Sequence, residues 1–437
     1  MAAPSDTQKL SALRPRPLAA PETRALWLPA WTLADADQLK SNFETVADCG
    51  FNTVALEAVY RGLTSFTSET AAKYGVLSEY PKLRGAEPLA QACAAAVDAG
   101  LAVYATVDLM LAGARTYFPA SRLWHKRRRW LIRNEKMLPM EFEAPEPQSL
   151  FLCAANPDAR RYAGELLAEI AQRYAVDGLM ISNILPPGFG AASAICQCAV
   201  CRERVDHELF FSVAEVAAEG GAHHYPKWRE WYSEQAMELF AGAASRIRVT
   251  RRKVCLAVKV PAPRGVADLA PGFAEQVLAD GLAHVRLTRL AGDIPQKDGL
   301  ALEILEEGQP AEMLPRLAAT RGRGNAGFIV RCQRLPEESW LRAMASAIGP
   351  DTVPIELDPA AAAMRHLDIL AARSDTAAGL KERIENWKAM VHGTQVDDLM
   401  QEDVARQMEL EAGNLSDGGV VGELKAAAML LRAAALR

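Results

Sequence analysis

Three sets of residues in this 437-residue chain have types and spacings that could do chemistry. Cys196-x-Cys198-x-x-Cys201 brings three thiols within six residues of one segment. Such short spacing suits a tetrahedral metal ion, because one turn can present several sulfurs to it. A fourth ligand is needed. Cys153 is the first choice, with His207, His223 and His224 as alternatives. The expected occupant is a structural zinc in a closed site that stiffens its loop and does no catalysis. An iron–sulfur cluster lacks the usual run of four cysteines, and the remaining alternative is four free thiols. The second set is the carboxylates in or just after apolar, β-rich runs: Glu57, Asp108, Glu356 and Asp358. Glu356 and Asp358 are two apart and share one face of a strand. Carboxylates there can serve as general acid and base, or they can pair with nearby cations and cap helices. Asp108 is the best placed.

The third set is cationic. Arg61, Arg115, Lys259, Arg286, Arg289, Arg331 and Arg334 fall in or just after the same runs. Lys259 and Arg286 sit inside apolar stretches, which is costly unless they are paired or face a ligand. They point either to an anionic ligand, which Asn183 could also contact, or to internal ion pairs with Glu57, Asp108 and Glu356. The loop His125-Lys126-Arg127-Arg128-Arg129-Trp130 adds basic and aromatic side chains. Trp124 and Trp130 could stack on sugar rings and the arginines could hold anions; a solvated loop is the alternative. This interleaving also suits single-stranded nucleic acid. The whole chain argues against that, with 49 basic and 54 acidic side chains and a net charge of −5.

The elements that must position these residues follow a clear alternation. Short β-rich runs are expected at Ala25–Trp31, Asn52–Tyr60, Leu101–Met110, Gly178–Ile184, Val254–Val260, Ala283–Leu290, Gly327–Gln333 and Val353–Leu357. Amphipathic stretches lie between them, including Asp35–Asp48, Pro88–Ala99, Asn156–Tyr174 and Pro226–Ile247. Eight such pairs predict a (β/α)8 barrel, a TIM barrel of the α/β class, spanning residues 24–373. Insertions are expected after strands three and four, at Ala112–Ser149 and Pro186–Tyr225. A doubly wound open sheet is the alternative, but no Gly-rich phosphate fingerprint follows the first run. Residues 1–23 read as a flexible segment. Residues 374–437 read as a helical C-terminal extension that docks on the barrel or on a partner. No signal peptide and no span of apolar residues long enough for a membrane is apparent. Cytoplasmic placement is therefore the expectation, and a secreted disulfide framework is not.

Several stretches, in order and spacing, resemble the family-10 glycosyl-hydrolase-like barrel proteins. Arg24-Ala25-Leu26-Trp27-Leu28 opens the first strand. Asn52-Thr53-Val54 begins the second, and Arg61-Gly62-Leu63-Thr64-Ser65-Phe66-Thr67-Ser68 follows it. Asn156-Pro157-Asp158-Ala159-Arg160 leads to Arg173-Tyr174-Ala175-Val176-Asp177-Gly178. The resemblance covers about Arg24 to Pro187 well and the later strands loosely. It implies a barrel acting on carbohydrate, with its site at the C-terminal ends of the strands. Two departures stand out. The Asp pair that such proteins carry after strand four is Ser182-Asn183 here, and their His-Ala-Trp is Tyr104-Ala105-Thr106.

Glycosidases place two carboxylates about the scissile bond, and one must be held protonated by its surroundings. Ser182 and Asn183 can do neither job. Two functions are therefore expected. One is a glycoside hydrolase-like enzyme using Asp108 with Glu356 or Asp358. Its ligand, a carbohydrate or other anionic small molecule, would be held by Arg61, Lys259, Arg286, Arg331, Asn183 and Trp130. The other is a catalytically inactive barrel that binds a ligand or a protein partner, with self-association through the C-terminal helices.

Overall fold

The computed structural model describes residues 23–117, 120–190, 194–218, 223–250, 254–261, 269–280, 285–288, 300–310, 327–348, 359–373, 378–391, 398–415 and 418–435, with a few single positions between them. Eight parallel strands form a closed barrel: β1 Thr23–Leu28, β2 Thr53–Tyr60, β3 Ala102–Asp108, β4 Gly178–Ser182, β5 Cys255–Val260, β6 Val285–Thr288, β7 Leu300–Glu306 and β8 Gly327–Arg331. Each pairs in parallel with its sequence neighbour, and β8 closes on β1 with Trp27 opposite Arg331.

The count of eight is as expected, but the seventh and eighth strands are not the expected stretches. Leu300-Ala-Leu-Glu-Ile-Leu-Glu is built of good helix formers, yet it is β7 because ladders on both sides claim its backbone. The run expected as the seventh strand is consequently the eighth. The barrel closes with it, and the stretch expected as an eighth strand, 353–357, lies outside the described residues together with Glu356 and Asp358.

Helices wrap the barrel: α1 Ala36–Asp48, α2 Pro88–Asp98, α3 Pro157–Arg173, α4 Ala199–Leu209, α5 Tyr225–Thr250, α6 Leu269–Ala279 and α7 Glu338–Ile348. Their starts follow local chemistry. Asn156 caps α3, its Oδ1 accepting from the amides of Asp158 and Ala159, with Pro157 at the first helical position. Four further helices follow: α8 Pro359–Ala372, α9 Ala378–Val391, α10 Asp398–Gly413 and α11 Gly418–Ala435. The last packs on α7, α8 and α10, and buried Glu423 accepts from Arg342 of α7 at 2.6 Å. Among the described residues no helix is long and apolar enough to cross a membrane.

The stretches carrying the family resemblance act as architecture. Asp177 Oδ2 accepts from the Val103 amide at 2.9 Å, tying β4 to β3 at the foot of the barrel. A Cβ at Gly178 would lie 2.2 Å from the Tyr104 ring, so glycine lets that ring fill the barrel floor. Tyr174 meets Phe66 edge-on and donates to Glu87. The Glu169 carboxylate accepts from Ser68 Oγ and from the amides of Glu69 and Thr70, at the start of the short helix Glu69–Lys73.

Candidate active site

Side chains alternate along each strand, so every second residue points inward. Ala25, Ala55, Tyr104, Met180, Ala257 and Ile329 form the apolar floor. One step further along their strands stand Trp27, Glu57, Thr106, Ser182, Lys259 and Arg331, and these six line one cavity of about 270 Å³ at the C-terminal end of the barrel. Asp108 lines it too, at the last position of β3.

Asp108 is buried, and its carboxylate is held from several sides. Ser182 Oγ donates to Oδ1 at 2.6 Å, and Asn183 Nδ2 donates to the same oxygen at 2.7 Å. The Arg61 amide approaches Oδ2 at 3.5 Å. Asn183 has φ +53°, a left-handed conformation that asparagine tolerates better than most residues, at the end of β4.

Glu57, on the neighbouring strand, is the second carboxyl in the cavity. Burial pushes its pKa up to about 7. The Ala30 amide, donating to Oε2 at 3.2 Å, opposes that rise, the Asp108 charge adds to it, and Arg331 and Arg61 draw it down. The residue was visible in the sequence as an acid inside an apolar run. Only the closed barrel shows that it faces the same space as Asp108. The Thr106 hydroxyl, buried and without a hydrogen-bond partner among the described residues, lines that space as well.

A flap from the insertion after β3 roofs one side. Leu111–Ala114, Glu141–Phe142 and Ser149–Phe151 form a three-stranded antiparallel sheet there. Ala144, Pro145 and Glu146 reach the cavity from it, and Glu146 pairs with Arg61 and accepts from Tyr60 Oη at 3.2 Å. Arg61 is further held over the Tyr60 and Tyr117 rings.

The expected cationic mouth divides. Lys259 and Arg331 point into the cavity. Arg286 does not: Val285 and Leu287 take the inward positions of β6, so Arg286 projects outward and forms a forked pair with Glu275 of α6. Arg115 pairs with Glu141 at 2.9 Å, and Arg334 with Glu337 at 3.4 Å. Arg289 lies outside the described residues. Trp130, expected to stack on sugar, is instead 6% exposed and packed against Tyr74 and Tyr162, with Arg127 over its ring. A large apolar ring gains more from that burial than from solvent. Trp124 stacks on His125.

The four cysteines converge. The Sγ atoms of Cys153, Cys196, Cys198 and Cys201 all lie within 4.8 Å of one another and are buried. Cys153 Sγ is 3.5 Å from Cys201, 3.7 Å from Cys196 and 3.8 Å from Cys198. Burial pushes the Cys196 thiol up and contact with Cys153 does the same for Cys201, while contact with Cys153 holds Cys198 far down. Tyr232 Oη lies 3.5 Å from Cys153 Sγ. Cys153 follows the insertion after β3, and the other three lie at the start of α4 after β4, so the quartet brings these two segments together. The Gln197 amide donating to Arg133 O reinforces the join.

No protein-family model matches this sequence, and neither does any curated protein. Solved structures do. The glycoside hydrolase domain of PgaB (BpsB) from Bordetella bronchiseptica superposes with a TM-score of 0.54 at 13% identity, over 76% of this chain and 100% of that one. Alpha-L-fucosidase isoenzyme 2 from Paenibacillus thiaminolyticus gives 0.52 at 13% identity over 74% of this chain. The match spans about half, 48%, of the fucosidase's length. At such identities the likeness is one of fold alone: this chain is a (β/α)8 barrel.

Proposed function

We propose that the protein hydrolyses a glycosidic bond, as its resemblance to the family-10 glycosyl-hydrolase-like proteins implies, with Glu57 as general acid and Asp108 as the partner carboxylate. The observation that carries this reading is the pairing of two unlike carboxyls in one cavity. Glu57 is buried and keeps its proton up to about pH 7, as a general acid must. Asp108 is oriented by Ser182 and Asn183. In hydrolysis Glu57 gives its proton to the departing glycosidic oxygen, and Asp108 acts at the anomeric carbon or on the attacking water. Ser182 and Asn183 then replace acids in position but support the acid that remains. Reducing-sugar release from a glycan library tests the reading, with Glu57→Gln and Asp108→Asn as controls. The first-formed anomer of the product, read by NMR, tells retention from inversion.

A second reading rests on the same two residues. Because the strand-four acids are absent, the barrel could bind carbohydrate without cleaving it; binding without turnover in wild type would favour this over hydrolysis.

We also infer that the cysteine quartet holds a structural zinc. Four thiolates at about 2.3 Å from one ion stand about 3.8 Å apart, close to the separations from Cys153. Such spacing suits one ion and is too tight to enclose a multi-iron cluster. Zinc would supply a rigid, closed crosslink between the two insertions and no open position for catalysis.

A further inference from the structure

We propose that the substrate sugar bears an anionic substituent, a uronate carboxylate or a phosphate ester, and that Arg331 is the residue that selects it. The inference rests on the carbohydrate reading and goes on to name the class of sugar. Other arginines around the barrel are spent on partners: Arg61 on Glu146, Arg286 on Glu275, Arg342 on Glu338 and Glu423. Arg331 is not. It lines the cavity from the last position of β8, and no carboxylate among the described residues lies within ion-pair distance of it.

The guanidinium is nonetheless held in place. It lies over the Trp27 ring, 5.4 Å from the centroid, and Trp27 is its register partner on β1. A cation on an aromatic face is positioned without using its hydrogen-bond donors. The planar fork therefore remains available, and a fork of this kind matches a carboxylate or phosphate two bonds at a time. Trp27 lines the same cavity beside the arginine. Lys259, from β5, lines the same cavity and adds a second positive charge.

The test compares matched pairs: 4-nitrophenyl hexosides, the corresponding hexuronides and the 6-phosphohexosides, assayed with wild type, Arg331→Gln and Arg331→Lys. The readout is the ratio of kcat/KM for the charged member to that for its neutral partner, because a general effect of the variant on Glu57 cancels in that ratio. Wild type is expected to prefer one charged series. Arg331→Gln is expected to lower the ratio by about 10- to 100-fold, and Arg331→Lys, which keeps the charge but loses the fork, by less. Preference for the uronides or for the phosphohexosides identifies the substituent. Turnover of the neutral series with no charged preference, or a ratio unaltered in Arg331→Gln, overturns the inference alone. Absence of turnover and of binding, by calorimetry, across all three series overturns the glycosidase reading and this inference with it.

Discussion

Ser182 Oγ stands 2.6 Å from Asp108 Oδ1, donating to it across the β3–β4 ladder. A residue that cannot ionise usefully thus becomes a support for one that can. Removing the hydroxyl leaves the carboxylate with Asn183 at 2.7 Å and frees it to turn. Asp108→Asn is expected to lower kcat by at least about 100-fold, and Ser182→Ala by about tenfold, both with melting temperatures within a few degrees of wild type. Steady-state kinetics beside thermal melts check this; a fully active Asp108→Asn refutes the assignment.

On the hydrolase reading, Glu57 sets the pH dependence. As a general acid it works while protonated, so activity should hold below about pH 7 and fall as pH rises through that value. Glu57→Gln should cost about 100- to 10,000-fold in kcat. The same group predicts a stability signature. The folded protein keeps a proton that the unfolded chain gives up near its usual value of 4.5, so stability falls as pH rises from about 4.5 to about 7. The loss amounts to about 3 kcal/mol. Glu57→Gln, which cannot ionise, should lack that loss and unfold at higher denaturant than wild type at pH 8. Equal pH dependence in the two proteins would contradict the burial argument.

The cysteine quartet predicts one zinc per chain, by elemental analysis, with cobalt substitution giving the absorption bands of a tetrahedral tetrathiolate site. Cys153→Ser should lose the metal and lower the melting temperature by about 10 °C or more, because it cuts the link between two insertions. Metal-free protein with four titratable thiols would rule the site out.

Two residues expected at the sugar site should behave as framework. Trp130→Ala should destabilise by about 3–5 kcal/mol in chemical denaturation, the cost of emptying a buried aromatic position. Arg286→Gln should leave kcat/KM within about twofold of wild type and cost no more than about 1 kcal/mol of stability, since its pair with Glu275 lies on the outside of the barrel at a half-exposed carboxylate. A selective loss of substrate binding in either variant would return it to the site.

By itself the sequence determined the barrel, since the alternation of β-rich runs and amphipathic stretches is local and survives without any tertiary knowledge. It also determined the cysteine cluster, whose three thiols lie within six residues of chain. Tertiary structure decided what faces what. Whether a strand residue points inward depends on registers shared with neighbouring strands, so Lys259 and Arg286, alike in an apolar run, went to opposite sides of the sheet. Leu300–Glu306 became a strand because β6 and β8 pair with it, against its own helical leaning. Cys153 met its three partners across 43 residues or more of chain, and Glu57 met Asp108 only when β2 and β3 lay side by side. Burial then set the chemistry: the same glutamate in solvent would ionise near 4.5, and inside the barrel it holds its proton to about 7.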